Sequence, residues 1–198
     1  MDRRSFIKLP ALLPFLGSGS AGRSTTYSFH YDSVIGTSLD LVVCSPDGRV
    51  AEEVCRSVRA EIDRLASILD TRDPASEISL LERSHSGRKI SSELADVLGA
   101  YDHWERRTGG VLSIRPSGAT ARNVDALGKA YIIDRAAANA LETIPSIDAL
   151  LLNIGGDIVA WGRSSEIAIA DPDAWYDNGA VLGTVRRQQS CLGLAADL

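Results

Sequence analysis

The sequence is short of positive charge. Its 198 residues include 21 Lys and Arg against 26 Asp and Glu, which gives a net charge of −5 and an isoelectric point near 5.2. No basic patch appears along the chain, so the charges that neutralise nucleic-acid phosphates are missing. This balance argues against a nucleic-acid partner and leaves open a small phosphorylated ligand that brings its own divalent metal.

Several signatures of common enzyme classes are also missing. The chain has no G-x-S-x-G nucleophile elbow, no G-x-x-x-x-G-K-[ST] phosphate loop and no G-x-G-x-x-G turn after a strand. Its three histidines are not spaced as metal ligands. The odd number of cysteines leaves at least one free thiol, and we interpret Cys44, Cys55 and Cys191 as buried small apolar residues.

The N-terminus carries a pattern typical of an export signal. Arg3 and Arg4 are followed by Ser, Phe, Ile and Lys8, as in twin-arginine signals. A short apolar run broken by two prolines and a stretch of small residues complete the layout, and the run is too short for a stable membrane span. We therefore expect residues 1–22 to be a twin-arginine signal peptide that directs the protein to the periplasm. A disordered basic start is the alternative, and cleavage of the signal is left open.

The remaining residues, 23–198, read as strands, then helices, then strands. Apolar periodicity predicts long helices over Val50–Leu69, from Ser91 or Ser92 to Gly109, and over about 127–144, with a short helical turn capped by Ser76. Strands are predicted over residues 26–32, 37–45, 147–154, 158–161, 166–170 and 180–185. This order predicts one α+β domain, in which a mixed or antiparallel sheet packs against helices.

Two segments stand out as candidate binding turns. Ala149–Ile158 is an apolar strand that runs into Gly155, Gly156 and Asp157, where the backbone has no side chains to keep a ligand away. Asn123–Asp134 is a polar turn that opens an amphipathic helix, whose first amides could face an anion. We expect the two turns to converge on the diphosphate of a dinucleotide.

Six short segments, in order and at suitable spacings, resemble signature segments of the FAD:protein FMN transferases, the ApbE family. They are Gly36–Thr37, Ser76–Leu81, Gly109–Ser113, Asn123–Asp134, Asn153–Asp157 and Ala168–Pro172. The resemblance implies the fold of that family and an activity that splits FAD and attaches its FMN half to a threonine of another protein. It also implies that the chain lacks the C-terminal part of the family domain, including an Asp and a Thr of the Mg²⁺ site.

The chain departs from the family pattern where ligand contacts are implied. Arg72 stands where relatives have a Tyr that stacks on the flavin. Leu112 replaces a Phe, while Ser113 and Asn123 each replace an Asp. The resemblance assigns flavin binding to Thr37, Arg72, Leu112, Ser113, Asn123, Lys129, Gly155, Gly156 and Asp157. It also assigns the backbone carbonyl of Ala126 as a ligand of Mg²⁺. The catalytic residue is not assigned.

Two functions follow from the resemblance. In the first, the protein is an Mg²⁺-dependent flavin transferase with FAD as substrate and a threonine-bearing redox protein as acceptor. In the second, it is a catalytically incomplete flavin-binding relative, or a truncated fragment without transfer activity. Neither requires a nucleic-acid partner or a stable membrane span.

Overall fold

A computed structural model describes residues 24–84, 89–116, 119–162, 165–170 and 181–187 of the protein. The expected signal at 1–22, Cys191 and the Asp171–Pro172 end of one resembling segment lie outside these residues. Within them, strands come first, helices follow and further strands close the order. The predicted α+β class is confirmed.

The elements have the following bounds. They are β1 (Thr25–Val34), β2 (Thr37–Ser45), α1 (Gly48–Leu69), α2 (Glu77–Arg83), α3 (Ser92–Arg107), α4 (Asp125–Thr143), β3 (Ala149–Ile154), β4 (Asp157–Gly162), β5 (Ser165–Ala170) and β6 (Val181–Arg187). Strands β1–β4 form an antiparallel sheet in that order, and β5 pairs antiparallel with β6.

The chain divides into two compact units. Unit 1 comprises the described residues of Met1–Cys55 and Ala140–Leu198, and unit 2 comprises those of Arg56–Asn139. The division passes through α1 and α4, so each of these helices contributes residues to both units.

Unit 1 is built on the four-stranded sheet. In β2 the alternating residues Leu39, Leu41 and Val43 are completely buried, and every residue of β3 is buried. Because side chains alternate between the two faces of a strand, the register places Leu39, Leu41 and Val43 on one face with Leu150, Leu152 and Ile154. The opposite face carries Asp40 opposite Asn153, and Asn153 is the polar residue of the otherwise apolar strand β3.

Unit 2 consists of helical elements and the loops that join them. Its core is formed by buried side chains of the helices, and the apolar stripes predicted for α1 and α3 supply part of it. The largest completely buried side chains of this unit are Ile62, Leu65, Ile78, Leu94, Tyr101 and Ile133.

Local capping explains where the helices differ from the predicted bounds. Helix α1 begins two residues before Val50, because the Asp47 carboxylate accepts hydrogen bonds from the Arg49 and Val50 amides. Helix α3 is capped by Ser91, whose hydroxyl accepts from the Leu94 amide. In each case a short polar side chain satisfies amides that have no partner inside the helix.

Two further expectations can be compared with the structure. Cys44 and Cys55 are free and buried, as predicted. Within the described ranges, no helix combines the length and the hydropathy that a membrane span requires.

Candidate functional site

The predicted turn between β3 and β4 is present in unit 1. Gly155 and Gly156 have φ angles of +57° and +100°, in a region that side chains disfavour. Two consecutive residues with positive φ match the right-handed twist of an antiparallel hairpin. Asp157 follows directly as the first residue of β4 and pairs with Ile154.

The two glycines differ in what surrounds them. A Cβ on Gly155 would lie 2.5 Å from Oγ1 and 2.7 Å from Cγ2 of Thr37, so this residue and the turn are closely packed. A Cβ on Gly156 would have no atom of the described residues within 4 Å. Gly155 is therefore needed for packing inside the protein, whereas the described part of the chain leaves open space over Gly156.

Both amides of the turn already have acceptors. The N–H of Gly155 donates to the Ser38 carbonyl at 3.1 Å, and the N–H of Gly156 donates to Oδ1 of Asn153 at 3.0 Å. Both amides are therefore bound within the chain, and the expected convergence of this turn on a diphosphate stays a prediction. What the turn offers a ligand is backbone surface without a side chain.

A chain of polar side chains crosses the sheet from this turn. Asn153 Nδ2 donates to Asp40 Oδ2 at 3.1 Å, and Asp40 Oδ1 lies 2.6 Å from His30 Nδ1. Asp32 lies at the far end, 3.4 Å from His30 Nε2. The hydrogen bond to Asp40, aided by the charge of its carboxylate, raises the pKa of His30 above the usual 6.5.

In unit 2, the start of α4 is tied down by two side chains. Asn123 Oδ1 accepts from the Asp125 amide at 2.8 Å, and the Tyr101 hydroxyl accepts from the Leu127 amide at 3.3 Å. Burial raises the pKa of Tyr101, while hydrogen bonds from the Leu127 and Ala126 amides oppose that rise. The first amides of α4, which we expected to face an anion, are thus occupied within the chain.

Arg72 lies in the loop between α1 and α2 and is paired with a neighbour. Its Nε donates to Asp70 Oδ1 at 2.9 Å, and its amide donates to the same oxygen at 3.0 Å. Burial alone would raise the pKa of Asp70, but the bonds from Arg72 outweigh it and lower that pKa. The adjacent Thr71 donates to Asp125 Oδ1 at 2.6 Å, which links this loop to the start of α4.

The predicted residues Leu112 and Ser113 follow α3. The Ser113 hydroxyl accepts a hydrogen bond from the Arg115 amide at 3.2 Å, and this bond closes a local turn. The next residue, Ile114, accepts at its carbonyl from the Asn123 amide at 2.7 Å. Leu112 and Ser113 are therefore anchored, through Ile114, to the same region as Asn123.

The structure sorts the predicted residues into two groups, one in each unit. In unit 1, Thr37 and Asp157 flank the turn of Gly155 and Gly156. In unit 2, hydrogen bonds link the segments that contain the other predicted residues to the start of α4, and Lys129 lies one helical turn after Asp125. The members of that group are Arg72, Leu112, Ser113, Asn123, Ala126 and Lys129. Contact between these residues and a flavin remains a prediction. So does the contact of both groups with the same flavin molecule.

Comparison with known proteins identifies the relatives of this fold. The ApbE family model matches residues 115–195. The flavinyl transferase ApbE of Pseudomonas stutzeri, in its apo form, is 15% identical with a TM-score of 0.67, over 82% of this chain and 65% of that one. The flavin transferase ApbE of Vibrio cholerae is 15% identical with a TM-score of 0.61, over 83% and 68%. The ApbE protein of Thermotoga maritima is 14% identical with a TM-score of 0.67, over 82% and 68%.

The chain is similar to the ApbE family in sequence over residues 115–195, and its fold is like that of the ApbE structures. It spans about two thirds of the length of these structures, between 65% and 68%. No curated protein sequence matches the chain. The ApbE match includes Asn123, Lys129 and the turn of Gly155 and Gly156, while Thr37, Arg72, Leu112 and Ser113 precede it.

The predicted magnesium ligand of this ApbE-like chain is the carbonyl of Ala126. Ala126 lies in the first turn of α4, where carbonyls point along the helix towards amides four residues later. Among the described residues, no group of three or more His, Cys, Asp or Glu side chains could hold a metal ion. Mg²⁺ prefers six oxygen ligands that include carboxylates, so Ala126 and its described neighbours do not make a complete site.

Sequence analysis missed the side chains that hold the ApbE-like turns in place. Asp40 and Asn153 are polar residues between apolar neighbours in their strands. With the register of β2 against β3, this pattern would have predicted that the two side chains are paired. Tyr101 continues the apolar stripe of α3, so its hydroxyl contact with α4 had no sequence signal. Thr71 lies beside the predicted Arg72, and the family resemblance assigns a role to Arg72 alone.

Proposed function

We propose that the protein is a flavin transferase that moves FMN from FAD to a threonine of a target redox protein. The observation that carries this proposal is the turn of Gly155 and Gly156 in an ApbE fold, with open space over Gly156. A planar ring or a sugar can approach such a backbone closely, because no Cβ intervenes.

The proposed reaction is a phosphoryl-type transfer. The threonine oxygen attacks the phosphorus of the FMN half, the bond from that phosphorus to the bridging oxygen breaks, and AMP leaves. The hydroxyl proton passes to a base, which we do not assign. Negative charge develops on the leaving phosphate, and fixed positive charges stabilise such a state. Lys129 and Arg72 are the cationic members of the predicted flavin-binding set.

Dependence on Mg²⁺ is proposed from the family resemblance alone. A bound Mg²⁺ would offset the charge of the pyrophosphate. Since the described residues do not form a complete site, no step is assigned to the ion. Transfer measured with added Mg²⁺ and with excess chelator tests this part separately: equal rates would remove the metal from the proposal.

A flavin-binding protein without transfer activity is the second candidate. It is favoured by the hydrogen bonds that the polar groups near the start of α4 make within the chain. The Asp125 carboxylate accepts a hydrogen bond from Thr71, and Ser113, which replaces an Asp of the family, is bound to Arg115. Neither group is arranged as an evident catalytic acid or base.

One experiment separates the two candidates. The full chain is incubated with FAD, Mg²⁺ and threonine-containing peptides, and flavin binding is followed by fluorescence anisotropy. Adducts are sought by mass spectrometry, and AMP by chromatography. Transfer predicts AMP together with a peptide that carries FMN, and no adduct on the same peptide with alanine in place of threonine. Bound flavin without AMP supports the second candidate. Absence of flavin binding contradicts both.

A matched pair of variants tests the assignment of the turn. Gly156→Ala adds a methyl group to the surface over the turn, and we expect it to weaken FAD binding. Because φ +100° also strains an alanine, unfolding midpoints are measured, and FAD affinities are compared under conditions in which both variants are folded. Gly99→Ala is the control, because Gly99 is an exposed helix residue with no atom within 4 Å of a Cβ. Helix propensity predicts that the control stabilises the fold by about 0.5–1 kcal/mol. Equal FAD affinity in both variants would remove Gly156 from the site.

We also propose that the protein is exported through its twin-arginine pattern, as the order of Arg3, Arg4 and Lys8 supports. Replacing both arginines by lysine conserves charge and is expected to retain the protein in the cytoplasm. Fractionation of cells that express each form measures this. Export of the lysine form at an unchanged level would contradict the proposal.

A further inference from the structure

Asn153 is a polar side chain in an apolar strand. It is 5% exposed, and it is the polar residue of β3, whose other members are Ala, Leu and Ile. Burying an amide is unfavourable unless both its donor and its acceptor are satisfied. Both are satisfied here: Nδ2 donates to Asp40 Oδ2, and Oδ1 accepts from the Gly156 amide.

Asp40 determines which way the Asn153 amide faces. An ionised carboxylate accepts hydrogen bonds and donates none, so the group of Asn153 that faces Asp40 must be the NH₂. The carbonyl oxygen of Asn153 is then left on the side of the turn, 3.0 Å from the Gly156 nitrogen. If the amide were reversed, Nδ2 would face the N–H of Gly156, and two donors would oppose each other.

We propose that Asp40 is a positioning residue for the flavin-binding turn. Its carboxylate orients Asn153, and Asn153 holds the Gly156 amide, so that the open surface of the turn is presented in one conformation. This inference rests on the proposed function, because it assumes that the flavin nucleotide binds over Gly156. Asp40 itself need not touch the flavin.

The position of Asp40 fits this role. It pairs with His30 on one side and with Asn153 on the other in the register of the sheet, so its side chain lies on the same face as both. The charged and titratable side chains in this chain of contacts are Asp40, His30 and Asp32. The backbone ladder holds the strands, whereas the Gly156 amide is held by the Asn153 side chain.

The test compares two variants of the full chain that are close in size. Asp40→Leu removes every acceptor, whereas Asp40→Asn keeps one oxygen that can accept from Asn153. Asp32→Asn, at the exposed end of the same chain of contacts, is the control for a lost negative charge. FAD affinity is measured by anisotropy, and the amide shift of Gly156 is measured by NMR without flavin. Unfolding midpoints show whether each variant is folded.

We expect Asp40→Leu to shift the Gly156 amide resonance and to weaken FAD binding about tenfold, the factor of one lost hydrogen bond. Asp40→Asn is expected to keep the Gly156 resonance and the FAD affinity close to those of the wild type. Asp32→Asn is expected to leave both quantities unchanged. An unchanged Gly156 resonance in Asp40→Leu would overturn the inference, and so would a shifted resonance with unaltered FAD affinity. If the wild-type chain binds no FAD, the proposed function fails and the positioning role fails with it, whatever the resonance shows.

A second variant covers the case in which Asp40→Leu does not fold. Asp40→Ala also removes every side-chain acceptor at this position but introduces a smaller side chain, so the Asn153 amide again loses the group that fixes its orientation. We expect a shift of the Gly156 amide resonance and weaker FAD binding, as in Asp40→Leu. A Gly156 resonance that stays in place in a folded Asp40→Ala chain would contradict the inference.

Discussion

Replacing Gly155 by alanine would force a methyl group against Thr37. The added Cβ would lie 2.5 Å from Thr37 Oγ1, 2.7 Å from its Cγ2 and 3.0 Å from its Cβ. Crowding of this kind costs about 1–3 kcal/mol. The left-handed backbone at φ +57° adds about 1–2 kcal/mol for a residue that has a Cβ. We therefore expect Gly155→Ala to lower the free energy of unfolding by about 2–5 kcal/mol.

A double-mutant cycle with Thr37→Ala separates the two causes. Thr37→Ala removes the two atoms nearest to the new methyl group, so most of the crowding, about 1–3 kcal/mol, should be recovered in the double variant. The backbone cost should remain. The matched cycle combines Thr37→Ala with Gly156→Ala, where none of the residues that the structure describes has an atom within 4 Å of the added Cβ. Its coupling should be below about 0.5 kcal/mol.

Urea unfolding of the three single variants, the two double variants and the wild type, followed by circular dichroism, measures both couplings. The slope of free energy against urea should stay constant, because the changes affect packing and not the surface exposed on unfolding. A Gly155 coupling below about 0.5 kcal/mol, or one equal to the Gly156 coupling, would refute the packing described for this turn.

Three further predictions concern single side chains. Asp40 raises the pKa of His30 in the folded state. The stabilisation from protonated His30 is therefore complete below pH 6.5 and is lost as the pH rises through the higher pKa of the folded state. An NMR titration midpoint at or below 6.5 would contradict this prediction. Ser91→Ala should destabilise the fold by about 0.5–2 kcal/mol through the lost cap of α3, and the neighbouring Ser92→Ala by much less, as urea unfolding would show. Tyr101→Phe should cost about 1 kcal/mol by removing an acceptor at the start of α4, and an unchanged unfolding midpoint would contradict it.

Much of the fold could be predicted because local signals were strong. The apolar stripe of α1 and the alternation in β2 each identified an element without knowledge of its partners. Starts of helices were less accurate: α1 begins at Gly48 because Asp47 caps it, although the apolar stripe begins at Val50. Helix bounds depend on such side-chain contacts as well as on periodicity.

The candidate site was only partly predictable. The pair of Gly155 and Gly156 indicated a turn, but the Ser38 carbonyl that accepts from Gly155 and the Asp40 carboxylate that accepts from Asn153 are distant in sequence. Asn153 and Asp40 are 113 positions apart, and only the register of β2 against β3 brings them together. At the start of α4, the sequence suggested amides that could face an anion, whereas in the structure Asn123 and Tyr101 accept from the Asp125 and Leu127 amides.

The central claim is that a flavin nucleotide binds over the turn of Gly155 and Gly156. An NMR titration of the full chain with FAD, read at backbone amides, tests it most directly. We predict saturable shifts at Gly155, Gly156 and Asp157, with the dissociation constant that flavin anisotropy gives. Saturated anisotropy with these three resonances unmoved would contradict the claim.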